Sequence, residues 1–319
     1  MRVSVTDRCM LRCVYCMPAE GVAWKPHDDM LTFEEILRLC RILAQLGIRN
    51  IKVTGGEPLL RRGLAPFMQT LKSIEGIEKV TITTNGILLS AFLDEAESLD
   101  ALPDGVNISL NALDSQRFSR ITRMTDSNTA QIFSIIDRLL AMQIPVKINC
   151  VPVRSFNEEE ILPLALLAQD KNINVRFIEL MPLGSAAHLQ FVPGAEIISL
   201  LESRYGTLNP VNNVPGNGPA LYYSIPGFTG KIGFINAISH GFCNTCNRLR
   251  LSSEGYLKLC LSSDSGLDLR RLLRSNASDN ELAKAISDIV AQKPQFHSLS
   301  GIYNNAAANH PIGMSGIGG

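Results

Sequence analysis

The chain has 319 residues, of which 45% are hydrophobic, and its 30 basic and 30 acidic side chains cancel. A neutral balance removes the overall field that would draw a protein to nucleic acid or to an anionic membrane surface. No apolar run reaches the roughly 18 residues of a membrane span, and no charged and apolar leader opens the chain. We therefore expect a cytoplasmic protein without nucleic-acid or membrane partners, built as one large domain with an appendage.

Six short apolar or β-branched runs alternate with helical stretches, at residues 2–6, 48–54, 79–84, 106–110, 145–151 and 174–180. Thr32 with Glu35 predicts a capping box at the start of the first helix, Gly47 predicts its end, and Asn128 predicts the start of a later helix. Strands that alternate with helices predict a parallel sheet with right-handed crossovers, either an open sheet or a barrel.

Polar signatures follow five of these strands, namely "TDRC", "TGGEP", "TTNG", "SLNA" and "ELMP". A barrel collects its ligand-binding loops at the carboxyl ends of its strands. We therefore predict an α/β fold with a partial (β/α)6 barrel of the TIM type over residues 1–182. Residues 183–319 are predicted to form an α+β extension that packs over the open side of the barrel.

The eight cysteines divide into two close groups and two isolated residues. Cys40 in a helical run and Cys150 in an apolar strand are expected to be buried structural thiols, as free cysteines usually are. The other six favour metal ligation over a disulfide framework. They are Cys9, Cys13 and Cys16 near the start of the chain, and Cys243, Cys246 and Cys260 near its end.

The first group has the spacing C-x3-C-x2-C. A structural zinc site normally has four protein ligands, and no fourth cysteine or histidine stands nearby. A 4Fe-4S cluster takes one thiolate per iron, so three thiols would leave one iron open. On spacing alone, zinc and an iron-sulfur cluster both remain possible.

This spacing, with an aromatic residue at Tyr15 and "TGGEP" after the second strand, resembles the radical S-adenosylmethionine superfamily. The resemblance implies a 4Fe-4S cluster whose open iron holds the methionine part of S-adenosylmethionine, which is split to give a 5′-deoxyadenosyl radical. "GGEP" alone is also typical of a simple glycine-rich turn. The cofactor contacts that the resemblance implies are Tyr15, Gly56, Glu57, Ser109 and Met181.

The second group is a C-x2-C pair with Cys260 thirteen residues further on, and by itself it does not separate zinc from iron-sulfur. Arg248 and Arg250 stand two residues apart beside it, so in an extended segment both side chains project to one side. Two guanidinium groups on one face suit phosphate oxygens. A solvated basic pair is the plainer alternative.

Taken together, "RVSVTDRC", "KVTGGEPLLR", "FIELMPLG", "CNTCNRLRL" and the terminal "GG" resemble the GTP 3′,8-cyclase family of this superfamily, over nearly the whole chain. The resemblance implies a lyase that converts GTP to (8S)-3′,8-cyclo-7,8-dihydroguanosine 5′-triphosphate, while S-adenosylmethionine is cleaved to methionine and 5′-deoxyadenosine. This reaction is the first step of molybdenum cofactor biosynthesis. A second 4Fe-4S cluster, held by the second cysteine group, would bind the guanine ring.

The resemblance also implies roles for basic residues that stand inside predicted strands, where charged side chains are unusual unless paired. The terminal Gly318 and Gly319 are implied to insert toward the active site and to be needed for cyclisation. The implied partners are a second copy of the chain, an external electron donor and cyclic pyranopterin monophosphate synthase, which receives the product. The implied GTP-binding residues are Arg2, Lys52, Thr83, Lys147, Arg176, Arg248 and Arg250.

Two positions depart from the family pattern: Met10 stands where Asn is common, and Asn111 stands where Asp is usual. Neither is a predicted cluster ligand. Three other functions compete with the cyclase hypothesis. They are a peptide-modifying radical enzyme, which would carry more C-terminal cysteines, a non-catalytic zinc-stabilised binding module, and an electron carrier, which would supply a fourth thiolate to each cluster.

Overall fold

A computed structural model describes residues 1–125, 129–212, 214, 216 and 218–296. In the first part of the chain, strands and helices alternate. They are β1 (Arg2–Ser4), α1 (Phe33–Gln45), β2 (Asn50–Thr54), α2 (Leu64–Lys72), β3 (Lys79–Thr84), α3 (Leu89–Ser98), β4 (Val106–Ser109), α4 (Ser115–Thr122), α5 (Ala130–Ala141), β5 (Val146–Cys150), α6 (Ile161–Asp170) and β6 (Asn174–Ile178).

The second part of the chain adds shorter strands and three helices. They are α7 (Gly194–Tyr205), β7 (Asn209–Val211), β8 (Leu221–Ser224), β9 (Lys231–Ile235), β10 (Arg250–Leu251), β11 (Tyr256–Lys258), β12 (Gly266–Asp268), α8 (Leu269–Arg274) and α9 (Asp279–Val290). Within the described ranges, every helix is too short or too polar to span a bilayer.

All twelve strands of the described residues form one sheet, in the order β12-β11-β10-β1-β2-β3-β4-β5-β6-β9-β8-β7. The strands β1 to β6 are parallel neighbours in chain order, which confirms the predicted partial (β/α)6 barrel. The extension contributes three strands at each edge, where β10 runs parallel to β1 and β9 runs parallel to β6. The extension therefore lengthens the sheet at both edges. From the sequence we expected it to pack over the open side of the barrel and did not predict that its strands would join the sheet.

The local signals in the sequence correspond to the observed ends of the elements. Thr32 accepts a hydrogen bond from the N–H of Glu35 at 3.1 Å, and the Glu35 carboxylate accepts one from the N–H of Thr32 at 2.8 Å, so the predicted capping box is confirmed. Gly47 has φ +93° and donates to Ala44, while Ile48 donates to Leu43, which closes α1 as predicted. Asn128 lies outside the described residues.

Side chains alternate along the strands between an apolar outer face and a polar inner face. In β3, Val80 and Ile82 are fully buried, whereas Thr81 and Thr83 line an internal cavity. The interior of a packed TIM barrel is filled by branched apolar side chains. Polar side chains on the inner face therefore indicate that this interior is a binding cavity.

The carboxylate of Glu179, just after β6, is buried and holds the chain segment that leads to the second cysteine group. One oxygen accepts hydrogen bonds from the N–H of Gly194 at 3.1 Å and from the Ser239 hydroxyl, and the other accepts from the N–H groups of Ile238 and Ser239, both at 2.9 Å. Backbone N–H groups only donate, so both oxygens must act as acceptors. Glu179 therefore ties this segment to the end of the parallel sheet.

Helices α8 and α9 dock against the start of α1 through three ion pairs. Arg274 contacts Glu35 at 2.9 Å, Arg38 contacts Asp279 at 2.7 Å, and Arg270 contacts Asp29 at 3.0 Å. Partly exposed ion pairs of this kind contribute about 0–1 kcal/mol each, so they set the position of the helices more than the stability of the fold.

We predict that Glu179→Gln destabilises the protein by about 2–3 kcal/mol, because the amide NH2 of Gln must face at least one backbone N–H. Thermal unfolding of the purified chain measures the effect. Glu202→Gln is the matched control, since exposed Glu202 accepts one backbone bond, from Leu208 at 3.1 Å, and a Gln carbonyl can keep it. Equal losses in the two variants would contradict the role given to Glu179.

Candidate active site

A cavity of about 1460 Å³ runs along the inner face of the parallel strands. Cys9, Cys13 and Cys16 line it at the carboxyl ends of the strands, and Arg248 lines it from the extension. Residues 210–212 and 218–223 form part of its wall. The two parts of the chain therefore share one site.

The first cysteine loop is held on both sides by backbone hydrogen bonds. The N–H groups of Arg12 and Val14 donate to the carbonyls of Thr122 and Ile121 at the end of α4, both at 2.9 Å. The N–H of Cys16 donates to the carbonyl of Cys13 at 2.8 Å, which closes a tight turn between two of the thiols. These bonds fix the loop independently of any bound group.

The three thiols of this loop are mutually unfavourable as thiolates. Burial raises the pKa of Cys9 to about 11 and that of Cys13 to about 12, where the negative charge of Cys9 adds to the effect. Burial, followed by the charges of Cys13 and Cys9, also raises the pKa of Cys16. Three partly buried thiolates in one short loop are stabilised by a positive centre between them, so the donor set fits the iron-sulfur cluster that the sequence predicts.

No group of three His, Cys, Asp or Glu side chains in the described residues is arranged to hold a metal ion. A 4Fe-4S cluster binds each thiolate through a different iron, so its ligands surround a larger body than a single ion. All six candidate ligands are of intermediate exposure. Their assignment as cluster ligands stays a prediction.

The glycine pair of "TGGEP" packs against the loop that leads to Cys9. A Cβ added to Gly56 would lie 2.3 Å from the carbonyl oxygen of Arg8, and one added to Gly55 would lie 2.7 Å from that of Thr6. The N–H of Gly56 donates to Thr6 and that of Glu57 donates to Arg8, both at 2.7 Å. The sequence suggested that the glycines allow a ligand to approach the backbone closely. In the structure, the segment that approaches them closely is the backbone of residues 6–8, which leads to Cys9.

Glu57, predicted to contact the cofactor, is almost fully buried and accepts hydrogen bonds within the chain. Its carboxylate binds the Thr84 hydroxyl at 2.7 Å and the N–H groups of Asn85 and Leu59 at 2.7 and 3.2 Å. Burial raises the pKa of Glu57 to about 7, although these three donors oppose the shift. Glu57 lines the cavity and also joins the end of β3 to the glycine loop.

The hydroxyl of Tyr15 is oriented by Asn111, the residue that departs from the family pattern. Asn111 Oδ1 accepts a hydrogen bond from the N–H of Val151 at 2.9 Å, so its Nδ2 must be the atom that faces Tyr15, at 2.8 Å. Tyr15 therefore accepts this bond and keeps its own proton for Cys13, with which it forms a side-chain hydrogen bond. Ser109 and Met181, the other predicted cofactor contacts, line the same cavity.

Basic residues form a lateral row across the sheet. Arg2 pairs in register with Lys52 on one side and with Arg250 on the other. Neighbouring strands lie about 4.8 Å apart, so three cations stand side by side. Arg2, Lys52, Lys147, Arg176 and Arg248 line the cavity.

The charges that act on Arg2 and Lys52 are those of neighbouring cations. Burial lowers the pKa of Arg2 well below its usual value, and the charges of Arg250, Arg248 and Arg176 lower it further. The pKa of Lys52 is lowered in the same way, by burial and then by Arg2 and other cations. A cavity of this kind favours a ligand that carries several negative charges.

Arg250 and Thr83, two of the predicted GTP-binding residues, differ in their position relative to the cavity. Arg250 pairs in register with Arg2 and is buried, but it is not among the residues that line the cavity. Thr83 and Thr84 both border the cavity, but the Thr84 hydroxyl donates to Glu57 and accepts from the N–H of Gly86 at 3.0 Å. Thr83 is therefore the threonine that remains available for a ligand.

Sequence analysis missed two asparagines that orient Arg176. Its Nε donates to Asn149 Oδ1 at 2.8 Å, and its Nη2 donates to Asn107 Oδ1 at 2.6 Å. In the sequence, Asn107 and Asn149 occupy the same alternating positions of β4 and β5 as Ser109 and Lys147. Polar residues at every second position of an apolar strand were the signal that could have identified them.

The second cysteine group meets the cavity through Arg248. Burial lowers the pKa of Arg248, and the negative charges of the Cys246, Cys243 and Cys260 thiolates oppose that shift, so its guanidinium lies near all three. The same guanidinium stacks on Phe242 at 4.6 Å, and its Nε is buried with no hydrogen-bond partner among the residues that the structure describes. A donor left in this state fits a site that is completed by a ligand.

Comparison with known proteins agrees with this site. Residues 3–168 match the model of the Radical SAM superfamily, and residues 173–299 match that of Molybdenum Cofactor Synthesis C. The GTP 3′,8-cyclase of Heliobacterium modesticaldum (strain ATCC 51547 / Ice1) is 42% identical over 100% of this chain and 97% of its own length. This chain belongs to the GTP 3′,8-cyclase family.

Other relatives support this membership. The GTP 3′,8-cyclase of Pelotomaculum thermopropionicum is 41% identical over 94% of this chain and 92% of its own length. The Molybdenum cofactor biosynthesis protein 1 of Dictyostelium discoideum is 38% identical over 99% of this chain, which spans 50% of that protein. Among solved structures, Streptococcus suis SuiB has a TM-score of 0.58 at 14% identity, over 95% of this chain and 67% of its own, and shows the same fold.

We predict that Gly56→Ala prevents assembly of the first cluster, because the added Cβ would displace the backbone that leads to Cys9. Overpacking of this kind costs about 1–3 kcal/mol. Iron content and the electron paramagnetic resonance spectrum after anaerobic reconstitution measure the loss. Gly218→Ala is the control, since a Cβ there meets nothing within 4 Å. A normal first cluster in Gly56→Ala would show that the loop tolerates displacement.

Proposed function

We propose that this chain is a GTP 3′,8-cyclase, which converts GTP to (8S)-3′,8-cyclo-7,8-dihydroguanosine 5′-triphosphate in the first step of molybdenum cofactor biosynthesis. The observation that carries the proposal is that a single cavity is lined both by the first cysteine group and by a set of basic residues. Cys9, Cys13 and Cys16 line its wall at the carboxyl ends of the strands, and Arg2, Lys52, Lys147 and Arg176 line its inner faces.

The first three cysteines would hold a 4Fe-4S cluster, with Tyr15, Gly56, Glu57, Ser109 and Met181 around S-adenosylmethionine. When bound, the cluster supplies the electron that cleaves S-adenosylmethionine to methionine and a 5′-deoxyadenosyl radical. The chain's own part is to hold the loop rigid, through the bonds of Gly56 and Glu57 to Thr6 and Arg8. It also shields the radical from water within the barrel.

The cations bind and orient the triphosphate of GTP. Arg176 is held by Asn107 and Asn149, so its guanidinium is already oriented when substrate arrives. Preorganised donors bind without losing further rotamer freedom. Arg250 adds its charge to this group, since it is buried beside Arg2 and lowers the pKa of Arg2. Thr83 adds a hydroxyl on the same inner face.

Cys243, Cys246 and Cys260 would hold a second 4Fe-4S cluster whose open iron binds the guanine ring. Support for this comes from Arg248, which lies near all three thiolates and borders the cavity. With guanine bound beside the second cysteine group and the triphosphate bound by the basic residues of the strands, the ribose would face the first cluster. The ribose 3′ hydrogen is the atom that the proposed reaction removes.

The remaining parts of the proposal concern partners and the end of the chain. Gly318 and Gly319 lie outside the described residues, and their role in cyclisation is proposed from the family resemblance alone. The enzyme is proposed to act in the cytoplasm as a homodimer. An external electron donor reduces it, and its product passes to cyclic pyranopterin monophosphate synthase.

The deciding experiment is turnover by anaerobically reconstituted protein with S-adenosylmethionine, a strong reductant and GTP, followed by mass spectrometry. We expect 5′-deoxyadenosine and an isomer of the mass of GTP to appear together. Cofactor cleavage that ignores GTP would keep the radical chemistry and reject the substrate. A preparation that binds zinc and little iron would favour the binding module.

We predict that GTP binding weakens as pH rises from about 8 to about 10, by up to tenfold per pH unit. Burial, then the charges of Arg176 and Lys79, lower the pKa of Lys147 to about 8. Above that pH the free protein holds Lys147 neutral, whereas a bound polyanion favours its charged form, so binding must take up a proton. Calorimetry on reconstituted protein without S-adenosylmethionine measures the affinity.

Lys147→Met should bind GTP about ten- to a hundredfold more weakly at pH 7, since one charged contact is lost. Its affinity should also depend less on pH than that of the wild type, although the lowered pKa of Lys52 leaves part of the dependence. Lys284→Met, an exposed position on α9, is the control. A wild-type affinity that changes with pH in parallel with that of Lys147→Met would assign the pH dependence to another group.

A further inference from the structure

The second cysteine group is carried on two arms that leave the sheet side by side. Strands β10 and β11 are antiparallel, and Arg250 pairs with Lys258 at the end of their ladder. Beyond that pair, one arm runs back to Cys246 and the other runs forward to Cys260. Backbone hydrogen bonds between β10 and β11 therefore stop just before the cysteines, and other contacts must set the spacing of the arms.

Lys293 joins these two arms. Its ammonium donates to the carbonyl oxygen of Arg248 at 2.9 Å and to the carbonyl oxygen of Leu259. The first carbonyl lies two residues after Cys246, and the second lies one residue before Cys260. A single charged group thus connects the ligand-bearing arms at the point where their ladder has ended.

The support of Lys293 is a fixed element of the fold. It follows α9, and its N–H donates to the carbonyl of Val290 at 3.0 Å. Helix α9 begins with a capping box formed by Ser278 and Glu281 and buries Leu282 and Ile286. Such a base holds the ammonium in place between the two arms, and hydrogen bonds from a charged donor are stronger than neutral ones.

We infer that Lys293 is a positioning residue for the second iron-sulfur cluster, which sets the distance between the Cys246 arm and the Cys260 arm. The inference rests on the proposed function, because that function supplies the second cluster. Among the described residues, the Lys293 ammonium donates hydrogen bonds to backbone carbonyls of the arms, so its effect on the cluster is exerted through the cysteines. A side chain of similar length without donors would leave the arms free to separate.

The test compares Lys293→Met and Lys293→Arg with the wild type and with Lys284→Met, which removes an exposed lysine of α9, the helix that Lys293 follows. Each protein is reconstituted anaerobically with a limiting amount of iron and sulfide. Iron per chain and Mössbauer or electron paramagnetic resonance spectra give the two clusters separately, since S-adenosylmethionine alters only the first. Cys260→Ala identifies the signal of the second cluster.

We expect Lys293→Met to keep the first cluster and its reductive cleavage of S-adenosylmethionine, and to lose at least half of the second cluster. Lys293→Arg, which keeps a charged donor, should restore most of it, and Lys284→Met should match the wild type. The intact first cluster serves as the internal measure of folding. Joint loss of both clusters in Lys293→Met would reveal a general structural role and overturn the inference.

Two further results would also overturn the inference about Lys293, and they can be told apart by the number of clusters in the wild-type chain. A wild-type chain with two clusters and an unchanged second signal in Lys293→Met would reject the positioning role and leave the proposed function intact. A wild-type chain that assembles only one cluster would reject the second cluster itself, together with the inference that depends on it.

Discussion

The constraint on which this structure depends is the repulsion among buried cations inside the sheet. Two unit charges about 5 Å apart repel by about 3 kcal/mol at the effective dielectric constant of 20 that suits such sites. Arg2 stands next to both Lys52 and Arg250 in register, so it experiences this repulsion from two sides. A polyanion bound among these cations would offset their repulsion and so stabilise the folded chain.

The carboxyl ends of the strands carry the opposite conflict. Cys9, Cys13 and Cys16 form a group whose burial opposes the thiolate form. A positive metal centre relieves the conflict among the thiols, and a polyanion relieves it among the cations, so each group accepts one kind of partner. The distribution of charge in the cavity therefore favours a positive centre beside the first cysteine group and a polyanion beside the basic residues.

The sequence predicted the parts of this arrangement that are encoded locally. The capping box of Thr32 and Glu35, the helix end at Gly47 and the six parallel strands follow from spacing within a few residues. Basic residues inside strand runs were also recognised as unusual, and four of them, Arg2, Lys52, Lys147 and Arg176, line the cavity. The buried position of Arg250 was not predicted, because it depends on β10 pairing with a strand that lies more than 240 residues earlier.

The glycine pair shows a second limit of sequence reasoning. "TGGEP" is compatible with close approach of a ligand or of the chain itself, and only the position of the Thr6 and Arg8 carbonyls decides between them. Glu179 and Lys293 were missed for a related reason. Each binds backbone groups of a distant segment, and backbone groups leave no trace in the identity of the residues that carry them.

The edge at which the second cysteine group lies is the least firmly paired part of the site. Strand β10 has two residues, and it matches two residues of β1 and two of β11. So short a ladder cannot define the geometry of the loops beyond it. The ends of those loops are instead held by Lys293 on one side and by Glu179 through Ser239 on the other. The geometry of this cysteine group thus depends on charged side chains, and single substitutions outside the cysteines can change it while the parallel sheet remains intact.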